Sequence, residues 1–237
     1  MPSPQTSKFK NRLLQLLPPS ELSLFSSRLE RVELPRDFRI VRAGGSIEHV
    51  YFLESGLASI VTVSPEGQKT EAGMSGRDGF VPTPPAVGSA RSLHEVLIQS
   101  HGWGHRLDLA TFGDALAKSR PFADLLAKSI HVLATQVSYT ALSNAVHQVD
   151  ERLARWLLMT QDRVGGSQLS ITHDYIALML AVRRPSVTTA LHVLEGNGLI
   201  RSERGLIVIR NREAMKDFAK DAYGKPEEEY RDLLGEM

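Results

Sequence analysis

The sequence has no cysteine among its 237 residues. This absence excludes disulfides, thiolate metal ligands, cysteine-held iron–sulfur clusters and cysteine nucleophiles together. The chain also has no apolar run close to the roughly 20 residues that a membrane-spanning helix needs. The segment from Leu13 to Leu17 is too short for a secretory signal. We therefore expect a cytoplasmic protein with no membrane contact.

A strong net charge is absent as well, because the chain carries only +1 at neutral pH. Its 42% hydrophobic and 23% charged residues are typical of a globular protein, and 237 residues suit two modest domains. Charge does shift along the chain: residues 150–212 carry 9 basic and 6 acidic groups, whereas residues 213–237 carry 4 and 8. Since nucleic-acid binding depends on where the cations lie, the arginines before the acidic tail matter most.

The first half of the chain predicts two small helices and then a small antiparallel β-barrel. The helices are predicted over Leu13–Leu17 and over a segment capped by Ser20 that runs through Leu29. From Val32 to about Leu109, short apolar or alternating runs are separated by Gly and Pro turns. The clearest strands are Val50–Leu53, Leu57–Val63 and Val96–Ile98, with a hairpin turn over Ser64–Lys69.

A long helix is predicted after Pro121. Apolar residues recur every three or four positions from Leu125 to about His147, which indicates a helix of about 27 residues and about 40 Å. A helix of this length usually packs against a partner, so we predict a homodimer seam. The alternative is a helix that covers the barrel within one chain. The predicted seam residues are Ile130, Leu133, Val137, Thr140, Ala141 and Asn144.

The segment from about residue 171 to 209 predicts a winged helix-turn-helix, a unit that reads DNA. It follows an amphipathic helix over Asp150–Arg163. Thr172 caps a first helix, a tight turn follows, and a second helix begins near Arg183 with Pro185 in its first turn. The segment Leu199–Ile209 then predicts two short strands around an Arg-Gly turn, which form the wing.

The second helix of this unit has one apolar face and one polar face. The apolar face, predicted to be buried, consists of Val187, Ala190, Leu191 and Leu194. The polar face carries an arginine at its N-terminal end, where recognition helices reach base edges, and arginine can pair bidentately with guanine. Wing arginines are expected to meet phosphates. The predicted DNA-binding residues are Arg183, Arg184, Ser186, Thr188, Thr189, Arg201 and Arg204.

The run Ile171–Val187, together with Leu194–Ile200, resembles the helix-turn-helix of the Crp–Fnr family of bacterial transcription regulators, and Tyr51–Gly56 resembles the family's barrel strand and turn. The resemblance extends from about Leu13 to Phe218. It implies an α+β fold: an N-terminal cyclic-nucleotide-binding-like β-barrel of the jelly-roll type, a long dimerisation helix and a C-terminal winged helix-turn-helix. It implies no enzymatic activity.

The same resemblance implies a homodimer that binds double-stranded DNA at an inverted-repeat operator, responds to a small-molecule effector in the barrel and contacts RNA polymerase. Arg184 takes the family's guanine-reading position, while Pro185 stands where many members have a base-contacting glutamate. Thr189 stands where the cyclic-nucleotide-responsive branch has a second arginine. These departures argue against the usual half-site.

The effector segment also departs from the family. Arg91 and Ser92 match the end of the family's phosphate cassette and are the candidate effector-binding residues. The start of the cassette reads Asp78-Gly79-Phe80-Val81-Pro82, without the glutamate that would bind a ribose hydroxyl, which argues against cyclic AMP. An effector-independent DNA-binding dimer is therefore an open alternative.

A third hypothesis uses three histidines near Gly102-Trp103-Gly104. His94, His101 and His105 could hold a metal or haem in the barrel, which would make the protein a metal-dependent sensor or enzyme. The predicted organisation is a sensing unit over residues 1–120, a dimerisation helix over 121–148, a DNA-binding unit over 149–222 and an acidic tail over 223–237. The tail could be a short helix, a surface contact or a solvated terminus, and we favour the solvated terminus.

Overall fold

The N-terminal segment folds into two short helices. In this computed structural model, which describes residues 9–236, α1 spans Arg12–Leu16, α2 spans Pro19–Leu22 and a 3₁₀ turn spans Ser26–Arg28. The side chain of Asn11 accepts hydrogen bonds from the amides of Leu13 and Leu14, at 3.1 and 3.3 Å, and so caps α1. The predicted Ser20 cap is wrong, because α2 begins at Pro19, whose missing amide costs nothing in a first turn. Two segments lie outside the described residues: residues 1–8, which begin the predicted sensing unit, and Met237, which ends the tail.

Two antiparallel sheets form the predicted barrel. The first has the order β1-β7-β3 and the second the order β2-β6-β4-β5. Alternating side chains from both sheets face a shared interior, which is the reason for the short apolar runs in the sequence. The strands are β1 (Glu30–Leu34), β2 (Arg39–Val41), β3 (His49–Leu53), β4 (Leu57–Val63), β5 (Lys69–Ser75), β6 (Glu95–Ser100) and β7 (Gly102–Asp108).

Two helices follow the barrel. The first, α3 (Leu109–Lys118), was not predicted; Asp108 caps it by accepting from the amide of Thr111 at 2.9 Å. The second, α4 (Arg120–Val146), is the predicted long helix and has 27 residues. Ser119 caps α4 by accepting from the amide of Phe122 at 3.1 Å.

The C-terminal part is the predicted winged helix. Its three-stranded sheet has the order β8-β10-β9, and β8 was not predicted. Its elements are α5 (Val149–Val164), β8 (Gln168–Leu169), α6 (His173–Leu180), α7 (Arg184–Gly196), β9 (Ile200–Glu203), β10 (Leu206–Ile209), α8 (Arg212–Ala219) and a 3₁₀ turn (Lys220–Ala222). The α+β architecture of barrel, long helix and winged helix is therefore confirmed.

The acidic tail is not a solvated terminus, and that prediction is wrong. Residues Lys225–Leu234 form helix α9, which packs against α4. Tyr230 and Leu234 are 2% and 3% exposed and belong to the same hydrophobic cluster as residues of α1, α4 and the barrel. The sequence does not indicate a buried helix face here, because the few apolar residues of the tail are widely spaced among acidic ones.

The winged helix packs directly on the barrel. Leu57, Val61 and Met74 of the second sheet share one hydrophobic cluster with α5, α6, α7 and α8. Arg36, before β2, donates to the carbonyl of Ser170, before α6. Within the described residues, no helix is both long and apolar enough to cross a membrane.

Candidate nucleic-acid interface

The turn between α6 and α7 sets the two helices of the reading unit against each other. Thr172 caps α6 as predicted, because its side chain accepts from the amide of Tyr175. Ala181 ends α6 in the left-handed conformation, at φ 51°, and the amide of Val182 returns to the carbonyl of Ala177 at 3.0 Å. This left-handed residue closes α6 and turns the chain into α7 within three residues.

Helix α7 turns its polar face away from the protein. Val187, Ala190, Leu191 and Leu194 are buried, as the sequence spacing predicts. The structure brings the five predicted residues of this helix together over its first two turns. Arg183, Arg184 and Thr189 are exposed, and Ser186 and Thr188 are half-buried. The first turn of α7 thus presents two arginines to solvent.

Arg184 has a partner that the sequence did not predict. Its Nε lies 2.9 Å from Oδ1 of Asp174, in the first turn of α6. Both side chains are more than half exposed, at 63% and 74%, so the pair contributes about 0–1 kcal/mol and can exchange for another acceptor. The only sequence signal for it is an acidic residue in the first turn of the preceding helix.

The wing carries the other predicted arginines. Arg201 of β9 pairs with Glu203 at 2.9 Å, and Arg204 lies at the exposed tip beside Gly205, whose φ is +74°. A residue with a side chain is strained at this φ, whereas glycine is not. Glycine at this position therefore predicts the tight turn that joins the two strands of the wing. The structure places Arg201 on β9 and Arg204 at the tip of the wing.

An open groove of about 580 Å³ lies between α6, α7 and the wing. Arg184 and Arg204 line it, together with three carboxylates, those of Asp174, Glu195 and Glu203. The groove is therefore mixed in charge rather than uniformly positive. Arginine can read guanine and a carboxylate can accept from cytosine, so this mixture suits base edges better than phosphates alone.

The candidate effector residues lie on the barrel surface. Arg91 is exposed, and its Nη2 donates to the carbonyl of Gly44 at 2.9 Å. Ser92 is buried, and its hydroxyl donates to the carbonyl of His94 at 2.7 Å. Both side chains are thus bonded to nearby backbone.

The space between the barrel and α4 is nearly filled. One cavity there has a volume of about 20 Å³ and is lined in part by Asp78, Phe80, Arg163 and Tyr230. A cavity of this size holds about one water molecule, whereas small-molecule sites measure roughly 300–1,000 Å³. A separate open pocket of about 420 Å³ lies on the barrel and is lined in part by Arg42, Gly45 and Ser46.

The three histidines do not form a metal site. Nδ1 of His105 lies 3.2 Å from Oε1 of the buried Glu54, and among residues 9–236 no group of three or more His, Asp or Glu could hold a metal ion. The neighbouring glycines have a packing role: a Cβ on Gly102 would lie 2.1 Å from the carbonyl oxygen of Ser55. The metal-based hypothesis therefore has no support in the described residues.

The long helix α4 packs on the barrel along one face only. Gln136 is buried, and its side chain accepts from the amide of Met74 at 2.7 Å and donates to its carbonyl at 3.2 Å. Of the predicted seam residues, Val137, Ala141 and Asn144 are exposed, and Ile130, Leu133 and Thr140 are half-buried. The predicted seam is thus a largely apolar strip beside the barrel contact. Ile130 and Leu133 pack partly against the neighbouring hydrophobic clusters, and Val137, Ala141 and Asn144 are the exposed part of the strip.

A buried polar contact joins the barrel to the winged helix. Nε1 of Trp156 on α5 donates to Oε1 of Glu71 on β5 at 2.7 Å. Burial raises the pKa of Glu71 to about 7, although the hydrogen bond from Trp156 and the charges of Arg163 and Arg155 lower it. This carboxyl group is therefore able to change its protonation state near neutral pH.

Fold and site together define a winged helix-turn-helix DNA-binding protein with a β-barrel domain. Residues 151–218 match the Crp-like helix-turn-helix domain. No curated protein matches the chain. Residues 151–218 therefore form a Crp-like helix-turn-helix domain, which agrees with the resemblance over this part of the chain.

Solved structures, some of them described as transcriptional regulators of the Crp or Crp/Fnr family, share the fold at low sequence identity. FixK2 from Bradyrhizobium japonicum is 15% identical with a TM-score of 0.68, covering 81% of this chain and 98% of its own. The c-di-GMP-responsive global regulator CLP of Xanthomonas campestris is 16% identical with a TM-score of 0.67, covering 82% and 100%. A CRP-family transcriptional regulator from Thermus thermophilus is 20% identical with a TM-score of 0.64, covering 80% and 96%.

Proposed function

We propose that the protein binds an inverted-repeat operator as a homodimer in the bacterial cytoplasm, with α7 as the recognition helix. The observation that carries this proposal is the first turn of α7, where Arg184 is exposed while the opposite face of the helix is buried against the domain. Arg184 reads guanine, and Arg183, Ser186, Thr188 and Thr189 contact the same site. Arg201 and Arg204 of the wing hold the DNA backbone.

The second copy docks along the strip of α4 that begins at Ile130 and ends at Asn144. On a helix with 3.6 residues per turn, the strip lies next to the face that carries Gln136, which contacts the barrel. It lies opposite the face that carries His131, which contacts α9. A parallel pairing of two such helices would set both recognition helices on one side of the dimer. RNA polymerase is the expected protein partner at the promoter.

The proposed units keep the predicted ranges: residues 1–120 sense, 121–148 dimerise, 149–222 read DNA, and 223–237 form the tail. Two modes of control were predicted, one that uses an effector in the barrel and one that does not. The cavity of about 20 Å³ between the barrel and α4 supports the effector-independent mode at that place. The open pocket of about 420 Å³ on the barrel, which Gly45 and Ser46 line next to Arg91, keeps the effector-dependent mode as the alternative.

Selection of bound fragments from bacterial genomic DNA tests the proposal. A homodimer of this kind should enrich an inverted repeat whose half-sites are centred about one helical turn, roughly 34 Å, apart. Sedimentation of the free protein should give twice the mass of the 26.2 kDa chain. Enrichment of an asymmetric site by a monomer, or equal affinity for every fragment, would contradict the proposal.

A further inference from the structure

The winged helix is joined to the barrel side of the molecule at both of its ends. The helix before it, α4, and the helix after it, α9, both contribute to one hydrophobic cluster with α1 and the first sheet of the barrel. Phe122 and Leu126 of α4 and Tyr230 and Leu234 of α9 are buried in that cluster. The DNA-binding unit is therefore a segment inserted between two anchors rather than an appendage on one linker.

Three contacts fix the second anchor, α9. The hydroxyl of Tyr230 donates to the carbonyl of Asp78 at 3.2 Å, in the loop after β5. Nε of Arg12 in α1 donates to the carbonyl of Leu234 at 3.0 Å. His131 of α4 pairs with Glu229 at 2.9 Å. These contacts tie α9 to the N-terminal helices, the barrel and the long helix at once.

Buried charges connect the same anchor to the winged helix. Glu227 of α9 is 4% exposed; burial raises its pKa, and the charges of Arg163 and Arg155 on α5 oppose that rise. Arg163 in turn lies 2.9 Å from the carboxylate of Asp78. Asp78 thus bonds to α5 through its side chain and to α9 through its carbonyl oxygen.

The two linkers that enter and leave the winged helix also touch each other. Nε2 of His147, directly after α4, lies 3.0 Å from Oδ1 of Asp221, shortly before α9. Lys220 pairs with Glu151 at 2.5 Å in the same region. A domain on one flexible linker samples many orientations, whereas a second anchored crossing removes most of them.

We propose that α9 acts as a built-in second anchor that holds the winged helix in its DNA-binding orientation without an effector. This inference rests on the proposed function and names how that site is regulated. In the anchored arrangement the polar face of α7 is open, with Arg184 and Thr189 exposed. Tyr230 and Arg163 line the cavity of about 20 Å³ beside α4, and their contacts with Asp78 join these parts within the chain itself.

A flexible insertion before α9 distinguishes two roles of this helix: restraint of the winged helix and packing in the hydrophobic cluster. A Gly-Ser segment of about 12 residues, which spans roughly 20 Å, is placed between Tyr223 and Gly224. Helix α9 can then still cover its hydrophobic cluster and keep its buried contacts, but the covalent crossing no longer restrains the winged helix. The matched control carries the same insertion between Glu66 and Gly67, at the exposed tip of the β4–β5 hairpin.

The first measurement is affinity for the operator duplex selected by the unmodified protein, with no metabolite added. If the anchored orientation falls to about a tenth of the population, the Kd rises about tenfold, while the control insertion leaves it unchanged. Both variants should keep the melting temperature of the parent. Unchanged affinity of the Tyr223 insertion would overturn the proposal, and tighter binding would show that α9 restrains an inhibited arrangement instead.

The second measurement is amide hydrogen exchange at His147 and Gln148, which needs no DNA. Loss of the second anchor should speed exchange there in the Tyr223 insertion and not in the control. Faster exchange together with a failure of any chain to select an operator would refute the proposed function but retain the anchor. Unchanged exchange refutes the anchor whatever the DNA result.

Discussion

Nη2 of Arg163 lies 2.9 Å from Oδ2 of Asp78, and both side chains are almost completely buried, at 3% and 7% exposure. The pair joins α5 of the winged helix to the loop after β5. Burial by itself would lower the pKa of Arg163, but the charges of Asp78, Asp162 and Glu227 raise it above its ordinary value. The guanidinium is therefore charged at every physiological pH, and it depends on Asp78 for compensation.

Removal of Asp78 should destabilise the protein strongly. The Asp78→Ala substitution leaves Arg163 buried and without its carboxylate, which typically costs about 3–5 kcal/mol of unfolding free energy. Urea denaturation measures that loss. The matched control is Asp124→Ala, which breaks the exposed Arg120–Asp124 pair and should cost less than about 1 kcal/mol. Equal costs for the two substitutions would contradict the role assigned to the buried pair.

Substitution of the α7 arginine and of a wing arginine should have different effects on DNA binding. Arg184→Ala should cost about 1–3 kcal/mol on the selected operator and little on random DNA, because a base contact is lost. Arg201→Ala should weaken both by similar factors, since a phosphate contact carries no sequence information. Fluorescence anisotropy at fixed salt concentration measures both affinities. A uniform loss for Arg184→Ala would show that this arginine contacts only phosphate.

The apolar strip on α4 should determine the oligomeric state. Val137 is 36% exposed and lies in the strip, so a Val137→Glu substitution places a charge in the proposed seam and should give monomers at micromolar concentration. The neighbouring Ser138 points about 100° further around the helix. Ser138→Glu is therefore the control and should leave a dimer. Sedimentation velocity distinguishes the two, and a dimeric Val137→Glu protein would place the seam elsewhere.

Glu71 should make the stability depend on pH. Its pKa rises from 4.5 to about 7 on folding, chiefly by burial, so the folded state binds the extra proton between these values. The stabilisation is fully present below pH 4.5 and is lost as pH rises through 7. The cost reaches about 3 kcal/mol at pH 8, at 1.36 kcal/mol per pKa unit.

Glu71→Gln removes that titration and keeps an oxygen that can accept from Trp156. The unfolding free energy of this variant, relative to the parent, should therefore increase by about 2–3 kcal/mol between pH 5 and pH 8. The comparison cancels the opposite contributions of Asp108 and Glu151, whose hydrogen bonds lower their pKa values. Glu66→Gln, at an exposed position, should give a curve parallel to that of the parent. Parallel curves for Glu71→Gln as well would refute the raised pKa.

The winged helix was predictable from sequence because its determinants are local. A capping Thr172, apolar residues three and four apart in α7 and the glycine at position 205 specify helix, turn and strand within about 40 residues. The length of α4 follows for the same reason, as does the position of Arg184 on the free face of α7. The start of α2, where Ser20 is not the cap, and the helix α3 were missed because several polar residues compete as caps at such starts.

The contacts between units were decided by the tertiary structure alone. Trp156 and Glu71 are 85 residues apart, and Tyr230 and Asp78 are 152 apart, so no periodicity relates them. The acidic composition of the tail predicts a solvated segment, yet one face of α9 completes the hydrophobic cluster around α1 and α4. Local sequence therefore determined which residues lie on the free face of α7, because helix faces depend on near neighbours. Burial by distant segments decided that the space between the barrel and α4 is nearly filled and that the pKa of Glu71 lies near neutrality. It also decided that the winged helix is joined to the barrel side at both ends.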